Sequence, residues 1–131
     1  LKIAHEAVDS GLYETLQFPF SYLASEKEEA LVKLCEENDV GFICMKALAG
    51  GLINKSSAAF AWMSQFDNVL PIWGIQRMTE LEEFLAFFEN PAEMEGELLE
   101  IIEKDTDRTQ ISRRLKRAHK RLAEVYKSIP N

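Results

Sequence analysis

Val40-Gly41-Phe42-Ile43-Cys44-Met45-Lys46-Ala47-Leu48-Ala49-Gly50-Gly51-Leu52 is the stretch on which the fold turns. Its first five residues form an apolar run of the length and composition of a buried strand. The two adjacent glycines then permit a sharp turn and a close approach of the backbone to a ligand, because neither carries a Cβ. Strands that end in small-residue loops are where α/β proteins hold phosphates. A plain turn at Gly50-Gly51 is the competing reading.

Working outward, the same strand-then-helix grammar repeats. Leu12–Phe20 is a predicted strand, with Pro19 marking its end. Ser25, with Glu28 three residues on, is a capping-box signature for a helix carrying Leu31, Leu34 and Cys35 on one face. Ser56 or Ser57 can cap a third helix, and Val69–Ile75 forms a third predicted strand. Thr79 is the expected cap of a helix over 80–89, with Leu81, Phe84, Leu85 and Phe88 turned inward. A first helix, through Ile3, Ala4, Ala7 and Val8, precedes all of this and stops at Ser10-Gly11. Strands alternating with helices predict βαβ units and a parallel sheet.

From Ala92 onward no strand signal remains. The expectation is a helical extension over 92–131, following an α/β unit over 1–91. Leu98, Leu99, Ile101 and Ile102 mark one helix. Ile111, Leu115, Ala118, Leu122, Val125 and Ile129 step by four and three through a second. Three strands cannot close a barrel, and an open parallel sheet exposes two edges, so a second copy or additional strands are expected beside it.

Charge is divided unevenly. The chain of 131 residues carries a net charge of −7, but the part from Lys104 onward sums to +6 and the part before it to −13. Such asymmetry predicts docking of the tail on the body, or an acidic partner for it. The basic run Arg113–Arg121 also fits a non-catalytic module that binds a protein or nucleic acid. Nucleic acid is the less expected partner, since no aromatic residues interleave the cations. The favoured reading is a solvated basic face, opposite an apolar stripe that packs on the body. Cys35 and Cys44 read as buried free thiols in a reducing, cytoplasmic setting. No apolar run is long enough to span a bilayer, and no metal-ligand spacing occurs.

Three segments together resemble the C-terminal half of the aldo-keto reductases. They are Leu16-Gln17-Phe18-Pro19-Phe20-Ser21, Met45–Leu52 and Pro71-Ile72-Trp73-Gly74-Ile75-Gln76-Arg77, the last followed by Glu80-Leu81-Glu82-Glu83. The resemblance implies a partial TIM (β/α)8 barrel, with three of its parallel strands, flanking helices and C-terminal helices, and it covers about residues 1–90. It implies NADP, or NAD, as cofactor, and hydride transfer to or from a carbonyl or alcohol. Residue by residue, it puts Gln17 on the nicotinamide carboxamide and Met45 against the ring, with Lys46 beside it. Leu48, Ala49, Gly50, Gly51 and Leu52 would run along the pyrophosphate. Gln76 and Arg77 would lie near the adenosine ribose and Glu83 near adenine, with Gly74 a further cofactor-binding position. Lys46 also has a reading as a phosphate or Schiff-base lysine, or as a plain loop lysine. Gln17 could instead bond loop backbone, and Arg77 could be a surface residue.

The departures are specific. Ala47 stands where the family usually has Pro, Glu80 where many NADP-preferring members have Arg, and Phe84 where an adenine-contacting Asn is usual. NADP against NAD therefore stays open. No residue matches the family's Asp, Tyr, Lys and His tetrad, so the chain is expected to carry part of a cofactor site without a catalytic centre. No cysteine follows Asp105, so the iron–sulfur segment of some bacterial members has no counterpart here.

Overall fold

The computed structural model describes residues 1–128, with Tyr126 described by its backbone alone. The chain runs α1 (Lys2–Asp9), β1 (Thr15–Pro19), α2 (Glu26–Glu37), β2 (Gly41–Met45), a 3-10 turn (Ala49–Gly51), α3 (Ser56–Met63), β3 (Val69–Pro71), α4 (Met78–Glu89) and α5 (Glu97–Ser128). The strands form one open parallel sheet in the order β1-β2-β3. This is a mixed α/β fold, and the strand order never reverses.

Register explains which face is covered. Leu16 pairs with Phe42 and Phe42 with Val69, while Phe18 pairs with Cys44. Phe42 and Cys44 are fully buried, and Leu16, Phe18 and Val69 pack against the same core. That core also takes Val8 from α1, Leu31, Val32 and Cys35 from α2, and Ala58, Ala59 and Met63 from α3. The alternate residues point the other way, as strand geometry requires. Thr15, Gln17 and Leu70 are exposed and Ile43 is half-buried. The helices therefore cover one face of the sheet and leave the other open among the described residues.

Local chemistry accounts for the ends of the elements. At the start of α2, the Glu28 carboxylate accepts the Ser25 backbone N–H at 2.6 Å, as the capping box predicts, and accepts the Ser25 hydroxyl at 2.9 Å besides. At α4 the N-cap is Arg77, not Thr79. Glu80 reaches back to accept the backbone N–H groups of Gln76 at 2.8 Å and Arg77 at 3.2 Å. An acid placed to satisfy two free N–H groups decides the start of the helix two residues earlier than a Thr79 cap would.

Four expectations are corrected. Strand β1 begins at Thr15 rather than Leu12, because β2 offers no partner before Gly41, and Leu12 and Tyr13 stand in solvent. Strand β3 stops at Pro71 instead of continuing to Ile75. It lies at the sheet edge, Ile72 N–H makes one more bond to the Cys44 carbonyl at 2.9 Å, and Trp73 then leaves to stack on Phe84. Leu85 and Phe88 are about half exposed, and α4 meets the body chiefly through Phe60 and Trp73. The C-terminal region is a single helix of 32 residues, α5, since no Gly or Pro interrupts 97–128. Ile129 lies outside the described residues.

The start of α5 belongs to the core. Ile102 is buried there, and Met94, Leu98 and Ile101 pack against it. The outer half does not return to the body. Ile111, Leu115, Leu122 and Val125 are all more than half exposed, so the apolar stripe is not docked. At 1.5 Å per residue, the helix is about 48 Å long, longer than a domain of this size is wide.

Candidate functional site

The C-terminal ends of β1 and β2 gather the most chemistry. Gln17 lies on β1 and projects from the uncovered face, and its amide nitrogen sits 3.4 Å from Met45 Sδ at the end of β2. Lys46 follows with φ +55°, an unusual conformation for a lysine. Ala47 is buried and Leu48 packs against the core, so the loop is pinned at its base. Above this base the backbone turns left-handed through Ala49 (φ +51°), Gly50 (φ +66°) and Gly51 (φ +93°). A Cβ on Gly50 or Gly51 would meet nothing within 4 Å. The glycines are there for their backbone angles, and the space over them is open. Non-glycine residues with positive φ cost free energy and gather at ligand-binding loops, and Lys46 and Ala49 are two of the three described here.

Beside this loop is a cavity of about 500 Å3. The sheet end supplies Pro19, Phe20 and Ser21, and the loop supplies Lys46, Ala49 and Leu52. The opposite wall is the middle of α5, with Arg108, Arg113 and Lys116. Four cations thus surround one space. The two acids in the lining are engaged elsewhere. Glu28 caps α2, and Asp105 accepts the Tyr22 hydroxyl at 2.6 Å. Arg113 donates one N–H to the Leu23 carbonyl at 2.8 Å, which holds α5 over the cavity and leaves further guanidinium donors. Burial first, and then the hydrogen bond and charge of Asp105, push the Tyr22 phenol well above its ordinary range. Tyr22 is therefore a fixed proton donor to Asp105 and a brace between the sheet end and α5.

Of the sequence-predicted site residues, Lys46, Ala49 and Leu52 line this cavity; Gln17, Met45, Leu48, Gly50 and Gly51 do not, and Gly74, Gln76, Arg77 and Glu83 form a separate group away from it. Gln76 and Arg77 are engaged with Glu80, whose carboxylate also takes the Arg77 guanidinium at 2.8 Å and 3.1 Å. The Gln76 backbone bond, followed by those from Arg77, holds the Glu80 carboxyl below its usual range. Glu83 accepts the Ser56 hydroxyl at 2.8 Å, tying α4 to the start of α3. Gly74 is exposed, and a Cβ there would meet nothing within 4 Å.

The two thiols take no part. Both are free and buried. Burial raises the Cys44 pKa to about 12, although a bond from its thiol to the Phe20 carbonyl at 2.9 Å partly opposes the shift. Among the described residues, no group of three or more His, Cys, Asp or Glu could hold a metal, and no helix is long and apolar enough to cross a membrane.

The basic excess from Lys104 onward and the run Arg113–Arg121 point to the α5 cations, but toward a protein or nucleic-acid partner and not toward this cavity, and no sequence pattern points to Tyr22 or Asp105. No protein-family model, curated protein or solved structure matches this chain.

Proposed function

We propose that this chain is the C-terminal part of an aldo-keto-reductase-like oxidoreductase, carrying part of a dinucleotide site and no catalytic centre of its own. The observation that carries the reading is the contact of Gln17 with Met45 at the C-terminal edge of one parallel sheet, with Lys46 and the double-glycine turn following directly in the chain. That edge is where singly wound α/β folds bind phosphorylated ligands. The unreversed strand order and single covered face suit a segment of a (β/α)8 barrel. In this reading the open face is covered by further strands, from a longer form of the chain or from a second copy.

The residues fit a nicotinamide dinucleotide in three respects. Open space stands over Gly50 and Gly51, where backbone can approach a diphosphate. Lys46, Arg108, Arg113 and Lys116 offer charge to phosphate oxygens, and the nearby acids are already engaged. The Gln17 amide offers a donor and an acceptor to a carboxamide. The cofactor would supply the hydride. Gln17 would orient it, and the cations would hold its phosphates. Arg77 is paired with Glu80 but exposed, with guanidinium donors to spare for a 2′-phosphate, while the Glu80 carboxylate beside it would repel one, so NADP and NAD remain equal candidates.

Fluorescence titration of the chain with NADPH and with NADH tests this reading. Saturable binding is expected, weakened at least tenfold by Lys46→Glu combined with Arg113→Glu, a change of about 1.4 kcal/mol or more. No binding, or binding indifferent to these reversals, overturns it. Aldehyde-dependent NADPH oxidation by the chain alone would overturn the absence of a catalytic centre, because this reading assigns no residue of the chain to the general-acid role that carbonyl reduction needs.

A further inference from the structure

The outer half of α5 presents a second face that the cofactor reading does not use. Two stripes run along this helix. Asp105, Thr109, Ser112 and Lys116, spaced by four, three and four, line the cavity. Ile111, Leu115, Ala118, Leu122 and Val125, spaced by four, three, four and three, lie on a different side and are exposed. Ile111 is 58% exposed, Leu115 60%, Leu122 55% and Val125 58%. A repeat of four and three is the 3.5-residue period of a helix that packs along another helix. The seam is narrow, about one residue per turn.

Charge identifies the occupant. Seven of the sixteen residues from 108 to 123 are Lys or Arg, and none is Asp or Glu. Arg108 and Arg114 lie beside the upper part of the seam, on opposite flanks by helical geometry, and Arg121 lies beside the lower part. A second copy of this helix would bring cation against cation in either orientation. A lipid surface calls for a broad and bulky apolar face, whereas this seam has alanine at its centre and no aromatic residue from 108 to 125. We infer that the outer half of α5 docks an acidic amphipathic helix of a partner protein, with Ile111, Leu115, Leu122 and Val125 packing against its apolar positions and the flanking arginines pairing with its acids.

Three labelled synthetic helices test this by fluorescence anisotropy with the full chain. One has Leu or Ile at the a and d positions and Glu at e and g. The second keeps that seam with Lys at e and g. The third keeps the Glu flanks but has Ser along the seam. The first is expected to bind at least tenfold more tightly than either of the others. Its affinity is expected to fall at least tenfold between 50 and 500 mM salt, and at least tenfold in Leu115→Asp/Leu122→Asp. Arg114→Glu/Arg121→Glu, which leaves the seam intact, is expected to invert the preference toward the Lys-flanked helix. Equal binding of the three helices, no binding of the first at 100 μM, or a preference that survives the arginine reversal overturns the inference. So does sedimentation showing that the chain pairs with itself through this seam, or seam-dependent binding to anionic vesicles in place of the acidic helix. Arg114, Leu115, Arg121 and Leu122, the residues changed here, are not in the cavity lining that holds Arg113 and Lys116, so failure here leaves the dinucleotide reading standing, and the reverse also holds.

Discussion

The two halves of α5 are built from the same residue types and have opposite surroundings. In the first turns, Leu98, Ile101 and Ile102 enter the core that also holds Phe42, Cys44 and Leu31. Further along, Ile111, Leu115, Leu122 and Val125 keep an equally regular spacing and stand in solvent. Asp105, and Arg113 just past Ile111, clamp the helix to Tyr22 and to the Leu23 carbonyl. The difference teaches that an apolar stripe reports the need for a partner and not the partner's identity. In the first half the partner is the sheet. In the second it must come from elsewhere, and the charge beside the stripe says what kind.

Substitutions of decreasing severity should break or sharpen this contrast. Phe42→Ala, at a fully buried position, is expected to cost about 3–5 kcal/mol by removing a core ring and leaving a cavity. Chemical denaturation with a shared m-value would measure it, and a loss under 1 kcal/mol would mean the core is not where the contacts put it. Gly50→Ala comes next, at roughly 1 kcal/mol, because alanine resists φ +66° whatever the free space around it. Tyr22→Phe is expected to cost about 0.5–1.5 kcal/mol by removing the bond to Asp105. It should also loosen α5 over the cavity, seen as faster amide exchange near residue 105. Leu115→Ala should change stability by less than about 0.5 kcal/mol, since the side chain is largely exposed and outside the core. A large loss there would place the outer half of α5 against the body.

The thiols give a pH-dependent version of the same contrast. The Cys44 pKa is raised in the folded state to about 12, so the folded protein holds a proton that the unfolded chain releases near the ordinary thiol value. Stability from this group is complete below that ordinary value and is lost as pH climbs toward the folded one. Unfolding curves should therefore show declining stability above about pH 9. A Cys44→Ala variant should lose that decline while retaining whatever comes from Cys35. At pH 8, a thiol reagent should label neither cysteine until the chain unfolds.

Much of the architecture could be read from the residues. The alternation of strand and helix follows from Val40–Cys44 and its neighbours, the start of α2 from Ser25 and Glu28, and the buried state of both cysteines from their apolar surroundings. What could not be read depended on partners distant in sequence. The lengths of β1 and β3 are set by how far β2 extends, not by their own propensities. The start of α4 depends on a reach by Glu80 that competes with the Thr79 cap. The continuity of α5 shows how weakly Asp105, Thr106 and Asp107 interrupt a helix without a Gly or Pro to help them. At the candidate site, the loop residues Met45–Leu52 announced themselves through their glycines. The α5 wall did not, because whether a basic face lies on solvent or over a cavity depends on a tertiary contact, and here that contact is Tyr22 with Asp105.

Amide hydrogen exchange with and without a dinucleotide tests the central claim most directly. With saturating NADPH or NADH, residues 45–52 are expected to gain protection, while residues 117–125 exchange at the same rate in both states. Unchanged exchange through 45–52 in the presence of bound dinucleotide, or protection appearing only along the outer half of α5, would contradict the assignment of the sheet edge as the ligand cradle.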